Sequence, residues 1–156
     1  MAGKGEQGFT LLGLLFLVAG LGIAMAALGT MWHTAVQREK ERELLFIGSQ
    51  YRQALDSFWK LTPGGIRRLP KNLDELLSDP RYPDPVRHLR KIYRDPMTGS
   101  TEWGMILDAN GGIVGIYSLS EGTPFKRSGF AAGLENFQDA ASYRDWIFRA
   151  GQSGTQ

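Results

Sequence analysis

The uninterrupted apolar run Phe9–Trp32, FTLLGLLFLVAGLGIAMAALGTMW, constrains this chain more than any other stretch. No charge interrupts it, and the next charged residue is Arg38. A bilayer's hydrocarbon core takes roughly 20 apolar residues at ~1.5 Å rise each, so the run is expected to span one. A buried core helix in a soluble domain is rarely apolar all round for so long. Only the short stretch Met1–Gly8, MAGKGEQG, precedes it. A secretory signal peptide would have an apolar part of about 7–15 residues and then a small-residue cleavage site. Here the run is longer and continues into a charged helix, so it reads as a retained anchor. Lys4 on one flank, against Arg38, Lys40 and Arg42 on the other, would leave the following domain in the cytoplasm on a simple Lys/Arg count.

Gly8-Phe9-Thr10-Leu11-Leu12 resembles the cleavage site of type IV prepilins and of the pseudopilins of type II secretion. The resemblance implies a prepilin peptidase that cuts after Gly8 and N-methylates Phe9. It also implies assembly through the helix, with Thr10 and Gly13 at the positions that matter, and a C-terminal domain in the periplasm. The family usually carries Glu at the position matched here by Gly13, where the carboxylate meets the amine of a neighbouring subunit. Gly13 supplies no such charge, which points to an initiating or capping place at the filament tip. The alternative is that Gly13 only allows close packing, and the folded domain does the recruiting. The family's frequent mid-helix Pro is also missing; the run holds Gly20, Gly22 and Gly29 instead.

His33–Lys60 continues as a second kind of helix. Leu44, Ile47, Tyr51, Leu55 and Phe58 recur at three- and four-residue steps, one apolar face. Before them, Arg38 with Glu41, Glu39 with Arg42, and Lys40 with Glu43 are spaced as pairs on a solvated helix. Thr62-Pro63-Gly64-Gly65 ends it. Asn72-Leu73-Asp74-Glu75 has the spacing of a capping box for a short helix through Leu77. Asp84-Pro85 reads as a second helix start, running to Lys91. Asp95–Gly99 reads as a turn, and Glu102–Leu107 and Ile113–Ser118 as strands joined by the hairpin signal Asp108-Ala109-Asn110-Gly111-Gly112. Trp103, Met105 and Leu107 are expected on the face against the long helix. Leu134–Ala150, with Phe137, Ala141, Trp146 and Phe148, is expected to be an amphipathic helix.

Chemistry-bearing constellations are sparse. The 156 residues include no Cys, which removes disulfides and thiolate catalysis, and two His far apart, His33 and His88. There is no phosphate-binding glycine loop, nucleophile elbow or His pair with metal spacing, so no catalytic residue, cofactor or metal is assigned. Asp74 and Glu75 fit helix capping better than paired-carboxylate catalysis. Pseudopilins often bind calcium in a loop after the last strands. The corresponding loop here, LSEGTPFKRSGF, offers only Glu121, too few carboxylates for the usual six to eight oxygens. Arg67, Arg68, Lys71, Arg81, Arg87, Arg90, Lys91 and Arg94 form a basic segment, but Asp74, Glu75, Asp79, Asp84 and Asp95 interleave with it. A net formal charge of +2 adds nothing to a case for nucleic acid, and the segment reads as a solvated face or a contact with an acidic neighbour.

The expected architecture is α+β, a long N-terminal helix packed on a small antiparallel sheet with short helices and a C-terminal helix. Its parts are a leader (1–8), a transmembrane half-helix (9–32), an amphipathic half (33–60), a small periplasmic domain (61–150) and a disordered tail (151–156). The resemblance implies a non-enzymatic pseudopilin or minor pilin of a type II secretion or type IV pilus filament. It would sit in the bacterial inner membrane by a single pass. Its implied partners are the prepilin peptidase, sister pilins and the inner-membrane assembly platform. The alternative is a periplasmic binding or regulatory module that borrows a pilin-like anchor, or a DNA-binding minor pilin.

Overall fold

One helix, α1 (Glu6–Lys60), carries both the apolar run and the amphipathic stripe. The computed structural model describes the backbone of residues 6–62, 64 and 67–151, and the side chains of these except 6–9 and 26–31. The chain divides into two units, Met1–Gln37 and Arg38–Gln156.

In the first unit the expected bilayer span has to be corrected. Among the described residues no helix is long and apolar enough to cross a membrane. The single-pass inner-membrane placement, with its periplasmic C-terminal domain, falls with the span. Residues 1–5 of the expected leader and 152–156 of the expected tail lie outside the described residues.

The second unit is α+β, built on the stripe read from the sequence. Leu44, Tyr51, Leu55 and Phe58 are 0% exposed and Ile47 is 3%. They form the helical side of one apolar cluster that also takes in Leu76, Trp103, Ile113, Ile116 and the aromatic residues near the C-terminus. Gly48 lies on the same face because the Phe148 ring occupies the place of its side chain; a Cβ there would be 2.3 Å from the ring. A short helix α2 (Asp74–Leu77) follows, and the Asn72 side chain accepts the Glu75 N–H at 3.0 Å. The reciprocal bond does not reach the Asn72 N–H; the Glu75 carboxylate takes Arg68 at 2.7 Å and the Lys71 N–H at 3.4 Å instead.

The expected helix after Asp84-Pro85 does not form. Asp79 N–H donates to Val86 O, and the N–H groups of His88 and Leu89 donate to Leu76 O. The segment folds back on the end of α2 as irregular chain with an isolated bridge between Asp79 and Val86.

Strands β1 (Gly104–Leu107), β2 (Ile113–Tyr117) and β3 (Phe148–Arg149) form one antiparallel sheet in the order β1-β2-β3. The β1–β2 turn forms as the sequence suggests. Gly111 adopts φ +76°, and Asp108 accepts the N–H groups of Asn110 and Gly112 at 2.8 and 2.7 Å. The expected inward face is partly reversed. Met105 and Leu107 are 46% and 55% exposed, whereas Trp103 and Gly104 are buried. Gly104 is covered by the ring of Tyr117, its register partner, and a bulge between Ile106 and Leu107 shifts the pairing.

The expected C-terminal helix is replaced by two 3-10 turns, Glu135–Asp139 and Tyr143–Asp145, followed by β3. Phe137 and Trp146 stack at 5.4 Å with ring planes 8° apart. Nine residues of α-helix rotate by about 900°, which would put these two rings on opposite sides. Bringing both into the core, with Tyr143 between them, requires the chain to break.

Candidate functional site

Two surfaces and one buried cluster hold the groups that could act. The first surface is the apolar part of α1 in the first unit. Between Leu11 and Met25 its large side chains are exposed on every side, from 54% for Leu12 to 73% for Ile23 and Met25. A Cβ added at Gly13, Gly20 or Gly22 would meet nothing within 4 Å. Of the residues singled out from the sequence, Thr10 is exposed and Gly13 is open. Gly8 and Phe9 fall within the helical span of α1, and their side chains lie outside the described residues.

The second surface is a groove in the folded unit beside Glu41. Sequence reasoning placed Glu41 on a solvated helix face, paired with Arg38. It is 3% exposed instead. The Phe125 N–H donates to its Oε1 at 2.5 Å, the Tyr143 hydroxyl donates to the same oxygen at 2.8 Å, and the Lys126 N–H donates to Oε2 at 3.2 Å. Its position three residues before Leu44 extends the buried stripe by one turn, and that spacing was the signal available. Of the three spaced pairs, Arg42 with Glu39 is an ion pair at 2.7 Å, exposed on both sides. Arg38, Arg42, Lys126 and Arg127 line the groove beside Glu41, about 410 Å³ in volume, together with Leu45 and Phe125.

The buried cluster joins Ser57, His88, Asp79 and Arg81. Ser57 Oγ lies 2.9 Å from His88 Nδ1, and His88 Nε2 lies 3.1 Å from Asp79 Oδ2. Ionised Asp79 only accepts, so Nε2 carries the proton. Arg81 forks onto the same carboxylate through Nε at 2.8 Å and Nη2 at 2.6 Å. It also donates to Phe58 O at 2.8 Å and lies over the Phe58 ring. Burial pushes the Asp79 carboxyl up, but the hydrogen bonds from Arg81 and His88 outweigh it and hold it at about 2.

Serine, histidine and aspartate in line invite comparison with a nucleophilic triad, which also needs donors for an oxyanion. Ser57 stands in the last turn of α1, where backbone carbonyls project, and its own carbonyl accepts Leu61 N–H. Arg81 occupies the neighbouring Phe58 carbonyl, and the His88 side chain is 1% exposed. The arrangement clamps the end of α1 to the 79–88 segment.

The remaining polar groups are dispersed. In the basic segment Arg81 is inside the clamp, Arg68 pairs with Glu75, and Arg94 donates to Gly99 O at 2.8 Å. Arg67 approaches the Trp59 ring and Lys91 the Tyr93 ring. Asp95 is fully buried and accepts Ser118 Oγ at 2.7 Å, Met97 N–H at 2.9 Å and Thr98 Oγ1 at 3.1 Å. Glu121 pairs with Arg144. His33 is exposed. No group of three His, Asp or Glu able to hold a metal occurs among the described residues. Set against models of known protein families, curated proteins and solved structures, the chain matches none.

Proposed function

We propose that this chain is a structural subunit of a filament, of the pseudopilin or minor-pilin kind. It associates through the apolar helix Thr10–Met25 and displays the folded unit. The carrying observation is the exposure of large apolar side chains all round that helix. Soluble surfaces rarely leave so contiguous an apolar patch uncovered, and full cover of each Leu or Phe contributes roughly 1.5–3 kcal/mol. Like helices from neighbouring subunits supply cover on every side, and the open positions at Gly13, Gly20 and Gly22 admit close approach. The motif Gly8-Phe9-Thr10 supports processing before Phe9 by a prepilin peptidase. No catalysis is assigned; the subunit acts by packing.

The natural chain has no Cys, so engineered ones are unambiguous. Leu14→Cys and Phe16→Cys point about 200° apart on the helix. In one chain, oxidised in cells, they should give a ladder of crosslinked species. A lone binding module gives no ladder, and that result rules the filament out. Gly8→Leu should leave the chain at precursor length; maturation at the normal rate removes the prepilin reading.

A further inference from the structure

We propose that the groove beside Glu41 takes a second copy of this chain, which presents the stripe Glu39, Glu43 and Phe46 of its own α1. The inference rests on the filament reading and names the contact made by the folded unit.

The groove is cationic, and only part of its charge is met from within the chain. Arg38, Arg42, Lys126 and Arg127 line it, and its lone carboxylate, Glu41, is already used by two backbone N–H groups and the Tyr143 hydroxyl. Arg127 reaches Ala140 O with one nitrogen, and Lys126 lies near the Phe130 ring. Arg42 holds only Glu39, in a pair so exposed that it exchanges partners readily. Beside the cations, Phe125 leaves half its surface, 50%, in water, and Leu45 is partly buried. The surface therefore fits a segment carrying carboxylates one helical turn apart, followed by an apolar side chain.

The same chain carries such a segment. Glu39 and Glu43 are exposed and one turn apart, matching the spacing of Arg38 and Arg42, and Phe46 follows at 59% exposure. On α1 the stripe begins about 40° round from Arg42, and Glu39 bonds to that arginine at the border, so groove and stripe are adjoining surfaces. A copy can offer its stripe to one neighbour and its groove to another. Such a head-to-tail contact does not close on itself and so extends a filament.

The test uses full-length chains. One bears Phe46→Cys in the stripe and the other Ser128→Cys at the groove. Mixed and oxidised, they should give a crosslinked species containing one of each. Adding Arg38→Glu and Arg42→Glu to the groove chain should cut its yield at least about tenfold, because like charges then face each other. Adding Glu39→Arg and Glu43→Arg to the stripe chain should restore it. These four side chains are on the helix surface, and an unchanged thermal melt confirms that the variants fold. Unchanged yield after the first reversal, or no recovery after the second, overturns the proposal. Failure of the groove crosslink while Leu14→Cys/Phe16→Cys ladders persist sinks this contact and leaves the filament; loss of the ladders sinks both.

Discussion

The two halves of α1 are both rich in Leu and Phe, yet they meet opposite fates. Leu44 and Leu55 are fully buried, whereas Leu14 and Leu15 are 56% and 60% exposed. The difference is in pattern. From Leu44 on, apolar residues keep to one face, and a single small sheet with its aromatic loops can cover that face. From Leu11 to Met25 they go all round, and no single layer can cover a helix on every side. Apolarity by itself does not make a core; a face that one partner can reach does.

The strongest test of the covered half is the ring that replaces a side chain at Gly48. Phe148→Ala should cost about 3–5 kcal/mol of unfolding free energy. Gly48→Leu should also destabilise, because its Cβ meets the ring at 2.3 Å. Combining the two should cost less than their sum in a denaturant double-mutant cycle. Strict additivity would mean that the ring does not fill that place.

Acid sets the next largest effect. The Asp79 carboxyl is held at about 2 in the folded chain, against 3.8 ordinarily. A depressed carboxylate stabilises above its ordinary value and loses that contribution as pH falls through the folded one. About 2 kcal/mol should therefore vanish between pH 4 and pH 2, and Asp79→Asn should flatten that part of the curve. Tyr51 supplies the mirror case. Burial pushes its phenol up to about 12, so its contribution is intact below pH 10 and is lost as pH rises towards 12.

Glu41→Gln keeps the shape and one acceptor oxygen but removes the charge that two N–H groups and a hydroxyl share. It should cost about 1–2 kcal/mol, read from the denaturation midpoint. The smallest expected effect sharpens the contrast most. Leu14→Ala should move the unfolding of the second unit by less than about 0.5 kcal/mol while weakening crosslinking between copies. A loss comparable to that of Leu55→Ala would erase the distinction between the halves. Gly13→Glu, with copy number counted in sheared filaments, separates a tip position from recruitment along the filament. Abundance near that of a major subunit removes the tip position.

Much of the covered half was legible. The stripe from Leu44 to Phe58, the Asn72 cap, the Asp95 turn and the Gly111 hairpin all follow from local spacing. Contacts distant in sequence stayed hidden. Glu41 sits among charges and looks solvated; only Tyr143 and the Phe125–Lys126 backbone, some 84 to 102 residues away, give it a buried role. In β1 the run Met105-Ile106-Leu107 is apolar on both faces, so alternation does not choose between them. The choice falls to the Tyr117 ring lying over Gly104. Near the C-terminus, rings that must meet were spaced so that a helix would keep them apart. The clamp of Ser57, His88, Asp79 and Arg81 was unreadable for the same reason, since Ser57 and His88 are 31 residues apart.

The sheet's two borders have a consequence for the kind of material such a subunit can form. One border is β1, interrupted by a bulge, and the other is β3, two residues long. Short, kinked borders are poor templates for backbone pairing with another molecule. Pairing with another molecule by strand addition is thereby discouraged, and in the proposed filament copies would meet through side chains. A fibre of these subunits should diffract with the ~5.4 Å pitch of helices and lack the sharp ~4.7 Å repeat of stacked strands. It should also come apart in salt or mild detergent and leave the folded units intact.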